Sequence, residues 1–187
     1  MVLIVLCAKK RNGKDTFADH LVNNHKFHRL SFAGPLKSAS RELFGFTDRD
    51  LEEDKEKIHP FWKKTPRQIL QFLGTEMFRD KFSECIPWVT DTFWIQKMKL
   101  SYEQLQKEYG KNVNVVITDC RFFNEASAVR EMSGVIIGIK RVGYGEGDTH
   151  SSEKEIDEIK KDMEILNDST VEALHEKAEL IYSKLNK

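Results

Sequence analysis

An α/β fold built on a mainly parallel sheet is predicted by three observations. Short apolar runs alternate with segments of helical spacing along the whole 187-residue chain. The first run, Val2 to Cys7, is continuous and rich in branched residues, as in strands covered on both faces. It passes through a basic Gly-Lys turn straight into a helix, and parallel strands require crossover connections of this kind.

The elements follow in order. After Gly13 closes the turn, Phe17, Ala18, Leu21 and Val22 recur at helical spacing. His28 to Phe32 reads as a second strand broken by Gly34-Pro35, and a helix through Leu36, Ala39 and Leu43 follows with Pro35 in its first turn. Asp48 to Lys57 is almost wholly charged with both signs mixed, the pattern of a solvated loop or helix face. Helical spacing resumes from Arg67 to Phe82 through Ile69, Phe72, Leu73 and Phe78, and again from Trp88 to Tyr109. These helices form a block inserted after the second strand.

Val113 to Ile117, ending in Thr118-Asp119, reads as a strand; Ala126, Val129 and Met132 mark a helix, and Val135 to Ile139 another strand. Three glycines lie between Gly143 and Gly147, and Glu153 to Asp162 is heavily charged, which predicts a solvent-facing excursion, a candidate lid. Glu164-Ile165-Leu166 is a last short strand. Asn167-Asp168-Ser169 offers capping side chains to a final amphipathic helix through Val171, Leu174, Ile181 and Leu185.

Composition narrows the function classes. Thirty basic residues balance thirty acidic ones, so no global field exists to hold a polynucleotide, and a small-molecule ligand is expected instead. Cys7, Cys85 and Cys120 are odd in number and lack metal-finger spacing, which fits a reducing compartment. The six histidines show no sequence pairing that suggests a metal site. The N-terminal apolar run has no basic leader and stops at Lys9-Lys10-Arg11, far short of the ~20 residues of a membrane span. A cytoplasmic protein without an anchor is the expectation.

The sharpest motif is Ala8-Lys9-Lys10-Arg11-Asn12-Gly13-Lys14-Asp15-Thr16, a variant phosphate-binding loop. Such loops work because backbone N–H groups and a helix N-terminus surround phosphate oxygens, a lysine reaches the outer phosphates and a hydroxyl helps to hold Mg²⁺. Ala8 stands where the general pattern has its first glycine, and Asp15 takes the hydroxyl position, displacing Thr16 by one. A capped basic turn would share the Gly-Lys pair, but the strand before it and the helix after it favour nucleotide phosphates.

Asp119-Cys120-Arg121, with Asn124 and Glu125 behind, lies at the end of a predicted strand, where doubly wound sheets place ligands. Asp119 suits Mg²⁺ or a water in its shell, and Arg121 a second phosphate. Arg67, Gln71, Thr75 and Arg79 are four apart on one predicted helix face, with Trp88 beyond. They fit either a monophosphate clamp or a solvated face with Trp88 in the core. The set Asp148-Thr149-His150-Ser151-Ser152-Glu153 lacks the nucleophile turn of a hydrolase.

Together these segments resemble the deoxynucleoside monophosphate kinase family of P-loop kinases found in phages and large DNA viruses. The stretches that carry the resemblance are Lys10 to Thr16, Ser31 to Lys37, Arg67 to Leu73 with Gly74-Thr75-Glu76, Trp88-Val89, Asp119 to Arg121 with Glu125, Asp148-Thr149-His150, and Leu166-Asn167-Asp168. Asp15 is usual in that family. The resemblance implies a single kinase domain over residues 1–187, a three-layer α/β/α fold with a five-stranded parallel sheet. A helical acceptor-binding insertion at about 44–92 and a lid at about 142–163 complete it.

It further implies that Lys10, Arg11, Asn12, Gly13, Lys14, Asp15, Thr16 and Asn167 bind donor ATP. Asp15, Thr16 and Asp119 would serve Mg²⁺ directly or through water. Lys37, Arg67, Gln71, Thr75, Arg79, Trp88, Arg121 and Glu125 would serve the acceptor, with Lys14, Asp15, Asp119, Arg121 and Arg141 in the catalytic set. The lid carries Lys154, Lys160 and Lys161 where many such kinases use arginines, which makes Arg141, at its foot, the candidate for the transferring phosphate. Homodimerisation is common among such enzymes and is expected by that analogy alone, the sequence itself not fixing the oligomeric state; the host cytoplasm is the expected compartment for a viral member. Phosphomevalonate kinases share the Gly-Lys-Asp loop and the Asp-x-Arg, dephospho-coenzyme A kinase is more distant, and a non-catalytic nucleotide-binding module is the alternative from another class.

Overall fold

The structure, a computed structural model, describes residues 1–144 and 151–186. Its five strands are β1 (Leu3–Cys7), β2 (His28–Leu30), β3 (Val115–Ile117), β4 (Val135–Lys140) and β5 (Met163–Leu166). They form one sheet in the order β2-β3-β1-β4-β5, with every pairing parallel. The helices are α1 (Lys14–His25), α2 (Gly34–Phe44), α3 (Asp48–Glu52), α4 (Pro66–Gln71), α5 (Phe93–Tyr109), α6 (Phe123–Glu131), α7 (Ser151–Glu158) and α8 (Val171–Leu185). The five-stranded parallel α/β architecture expected from the sequence is therefore present.

The chain divides into two compact units, residues 1–31 with 100–187, and residues 32–99. In the first, β1 is central and buried throughout, which explains its unbroken apolar sequence. Alternate residues of β1 serve opposite faces. Val2, Ile4 and Leu6 meet Phe17, Ala18 and Leu21 of α1 and Leu174, Ala178 and Ile181 of α8 in one core. On the other face Leu3 lies near Val129 of α6, close to Gly134, and the Cys7 thiol points at the Ile156 carbonyl of α7. Each fully buried Val, Leu or Ile contributes about 1.5–3 kcal/mol, so this seam dominates the unit's stability.

The excursion expected around residues 142–163 is not all solvent-facing. Ile156 and Ile159 are buried in the first unit, so the charged sequence hides one apolar stripe of a short amphipathic helix. Asp148-Thr149-His150 lies outside the described residues. The cap of α8 also differs from expectation: the Thr170 hydroxyl accepts from the Ala173 N–H, while Asn167 turns inward and is buried.

The second unit holds α2, α3 and α4. Its charged stretch begins with α3, where Thr47 and Asp50 cap each other reciprocally. Thr65 and Gln68 do the same for α4. Beyond Gln71 the expected α-helix becomes a π-helix over Phe72–Lys81, followed by a short 3₁₀ turn over Phe82–Glu84. The helix expected from Trp88 begins at Phe93, and Trp88 is 83% exposed, so its place is not in the core. The aromatic cluster consists instead of Phe78, Phe82, Phe93 and Trp94. The Trp94 indole N–H donates to the Gly74 carbonyl at 2.8 Å.

Candidate active site

The C-terminal ends of the parallel strands carry a convergent set of polar residues in the first unit: the loop 8–16 after β1, Arg29 within β2, Asp119 and Arg121 after β3, Arg141 after β4 and Asn167 after β5. Ligands of open parallel sheets lie at this edge, where loops and helix N-termini face outward.

The loop is shaped by its backbone. Arg11 and Gly13 have positive φ, at 64° and 96°, and Gly13 is the residue before α1. A side chain at Gly13 would also collide, because a Cβ there would lie 2.5 Å from Asn167 Nδ2. The N–H groups of Lys14, Asp15 and Thr16, at the first turn of α1, have no partner within the helix, and the macrodipole adds positive potential there. This arrangement suits phosphate oxygens.

Asn12 locks the loop in place. It is buried, its carbonyl accepts from the Asn167 side-chain amide at 3.0 Å, and its own side-chain oxygen accepts from the Arg141 backbone N–H at 2.6 Å. One residue thus ties β1's loop to the ends of β4 and β5. Lys9 adds a 2.5 Å ion pair to Asp157 of α7. The Arg141 guanidinium lies over the Tyr144 ring, 4.4 Å from its centroid.

Lys14 and Asp15 form a 2.6 Å ion pair, and the other Asp15 oxygen is bonded to Arg29, which also holds Asp19 at 2.8 Å. Burial pushes the Asp15 carboxyl upward, but hydrogen bonds and charge from Lys14 and Arg29 outweigh it and hold it below the usual carboxylate range. Asp15 is therefore engaged as an anchor for two cations that an incoming polyphosphate would compete for. Arg29 is not among the expected residues; its place in the middle of a three-residue edge strand has no local sequence mark.

The segment after β3 is held between its neighbours: Thr118 N–H donates to Leu30 O at 3.2 Å and Cys120 N–H to Leu6 O at 3.3 Å. Glu125, only 2% exposed, accepts from the N–H groups of Arg121 at 2.9 Å and Phe122 at 3.2 Å. It caps α6 and shapes the turn that presents Asp119 and Arg121. Beneath that turn the buried Cys120 thiol is raised well above its ordinary value by its hydrogen bond with Cys7 and by burial, so it stays neutral. Thr16 and Asp119 supply hard oxygen donors, a chemistry that fits Mg²⁺.

In the inserted unit Lys37 pairs with Glu52 at 2.5 Å and Arg67 with Glu56 at 2.7 Å. Arg67 and Gln71 lie on α4, whereas Thr75 and Arg79 lie on the π-helix. Its i→i+5 bonding widens the turn, so the spacing of four no longer follows α-helical alignment. Trp88 stands exposed beyond it.

The histidines also depart from expectation. His20, His25 and Glu179 bring ligand atoms within 4.8 Å of one another, across α1 and α8. Separation in sequence concealed this cluster.

Comparison with known proteins relates the sequence to a family. A sequence model described as deoxynucleotide monophosphate kinase matches residues 51–178. A putative deoxynucleotide monophosphate kinase of Acanthamoeba polyphaga mimivirus is 37% identical over 180 residues, covering 94% of this chain and 93% of that protein. The deoxynucleotide monophosphate kinase of Enterobacteria phage T4 is 25% identical, covering 95% and 97%. A solved dephospho-CoA kinase from Campylobacter jejuni aligns with a TM-score of 0.48 at 18% identity, covering 98% of this chain and 96% of that one. With a family match over most of its length and a viral relative at this identity, the chain belongs to the deoxynucleotide monophosphate kinase family.

Proposed function

We propose that this enzyme transfers the γ-phosphoryl group of ATP to a deoxynucleoside monophosphate, giving ADP and a deoxynucleoside diphosphate. The observation that carries the reading is the placement of Lys14, Asp119 and Arg121 at one edge of a parallel sheet, around a loop that opens a helix N-terminus, in a chain of this family.

The acceptor is already an ionised phosphate, so the reaction needs alignment and charge cancellation more than a strong base. Lys14 leaves Asp15 to neutralise the outer phosphates, the N–H groups of residues 14–16 hold the inner ones, and Arg121 stabilises charge that grows on the group in transit. Thr16 and Asp119 would hold Mg²⁺, directly or through water, with Asp15 in support, and the ion would supply shielding of phosphate charge. Lys10, Arg11 and Asn167 complete the donor site. Lys37, Arg67, Gln71, Thr75, Arg79 and Trp88 bind the acceptor, with Lys37 and Arg67 exchanging Glu52 and Glu56 for its phosphate. The part of the 142–163 segment that precedes the buried Ile156 closes as a lid, and Arg141 moves from Tyr144 to the transferring phosphate, excluding water.

The test is ADP release from ATP with Mg²⁺ and each deoxynucleoside monophosphate, each ribonucleoside monophosphate, phosphomevalonate, or no acceptor. Selective turnover with deoxynucleotides is expected. Turnover with phosphomevalonate alone would overturn the acceptor, and silence throughout would overturn catalysis.

A further inference from the structure

The first unit carries a second polar cluster, remote from the loop. Lys14 opens α1 and His25 closes it, about 16 Å along the axis at 1.5 Å per residue. There the Nε2 atoms of His20 and His25 lie 2.6 Å and 2.8 Å from the same Glu179 oxygen, Oε1, on α8. Two imidazoles thus converge on one carboxylate, with protons filling the space between them.

The surroundings fix the rings in this pose. His20 stacks on His175 with centroids 4.4 Å apart, and His25 on Tyr182 at 3.9 Å. The Asn24 side-chain amide nitrogen lies 3.2 Å from His20 Nδ1 and donates to the His20 carbonyl at 3.0 Å, which holds the ring. Metal at Nε2 would put the proton on Nδ1, and the Asn24 amide would turn its oxygen to accept it. His25 lies in the last turn of α1, where the helix dipole favours a cation. The side chains of His20 and His25 are 12% and 18% exposed and that of Glu179 is 45% exposed, so the site is sheltered but open on one side.

We propose that His20, His25 and Glu179 form a binding site for a late first-row divalent metal of the Zn²⁺ class, clamping α1 to α8. Tetrahedral Zn²⁺ with bonds of about 2.0–2.2 Å needs ligand atoms about 3.3 Å apart. The two imidazole–carboxylate distances, 2.6 Å and 2.8 Å, widen by a fraction of an ångström through rotation of the Glu179 side chain, and the two imidazole nitrogens already lie within 4.8 Å of each other. Binding replaces the shared protons, and water completes the coordination. Two imidazoles select Zn²⁺, Co²⁺, Ni²⁺ or Cu²⁺ over Mg²⁺, which separates this site from phosphoryl transfer. The clamp bears on the loop through packing, because Leu174 of α8 lies beside Gly13.

The experiment uses the full chain stripped of metal by chelator, without nucleotide, and adds Zn²⁺ alone. Calorimetry is expected to show one site that Mg²⁺ does not fill. At free Zn²⁺ about 100 times Kd, the unfolding midpoint is expected to rise by roughly 5–10 °C. Co²⁺ is expected to give the intense visible bands of four-coordination. His25→Gln and Glu179→Gln should each weaken Zn²⁺ binding at least about tenfold while leaving ATP turnover in zinc-free buffer unchanged. Glu179→Gln alters an exposed side chain and keeps a hydrogen-bond acceptor, so it remains informative if His25→Gln fails to fold. Absence of Zn²⁺ binding overturns the proposal, and so does undiminished binding in Glu179→Gln, which would put the ion on other residues.

Discussion

The side-chain amide of Asn167 donates to the backbone carbonyl of Asn12 at 3.0 Å, and both residues are buried. The bond joins the end of β5 to the loop after β1, so the shape of that loop depends on a residue 155 positions away.

Asn167→Ala removes that donor and leaves a buried carbonyl unpaired, a loss of about 1–3 kcal/mol. Because the loop is what relaxes, KM for ATP is expected to rise along with the loss of stability. Denaturant unfolding and ATP saturation curves check this together; unchanged values in both would remove Asn167 from the loop's support.

In the proposed mechanism, Lys14→Ala and Arg121→Ala are expected to act on charge in the transition state rather than on folding. Lys14 pairs with the half-exposed Asp15, and such pairs contribute at most about 1 kcal/mol to stability. Each substitution is expected to lower kcat by about 10²-fold or more with little change in Tm. A melt beside steady-state kinetics separates the two effects, and near-normal turnover in Lys14→Ala would contradict the assignment of the loop.

The sheet and the loop were legible because their signals are local. The apolar run of β1, the Gly-Lys turn and the helix after it lie within a few residues of one another, and Asp119 sits where β3 ends. The π-helix is not legible, because the apolar spacing across Phe72–Lys81 fits a period of 3.6 and carries no mark of the wider turn. There the Gly74 carbonyl is taken by the Trp94 indole, and a side chain that captures a carbonyl of the ladder perturbs helical bonding through a residue 20 positions away. Arg29, Asn167's inward turn and the histidine cluster depend likewise on partners brought together by the sheet. The carboxylate of Glu125 is visible in sequence and suggests an acceptor ligand, whereas its burial against two backbone N–H groups is visible only in the structure.

That burial makes a separate prediction. Glu125→Ala leaves the N–H groups of Arg121 and Phe122 without this acceptor and is expected to cost about 1–3 kcal/mol. Glu125→Gln keeps an acceptor oxygen and should recover most of the stability. If Glu125 acts by holding the turn, kcat follows stability across the pair; a selective rise in KM for the acceptor at full stability in Glu125→Gln would instead mark direct acceptor binding.

Asp15 links the loop to pH. Its folded-state carboxyl is held below the ordinary value, so its stabilising effect is complete above that value, about 3.9, and is lost as pH falls through the lower folded one. Asp15→Asn has no such titration. The wild-type chain is therefore expected to be the more stable at neutral pH, with the difference shrinking on the acid side as Asp15 takes up its proton. The Lys14 and Arg29 partners set the sign, since both favour the ionised form. Unfolding midpoints of the two chains between pH 7 and pH 2 check it, and a difference that stays constant across that range would mean that the bridge to Lys14 and Arg29 contributes nothing through charge.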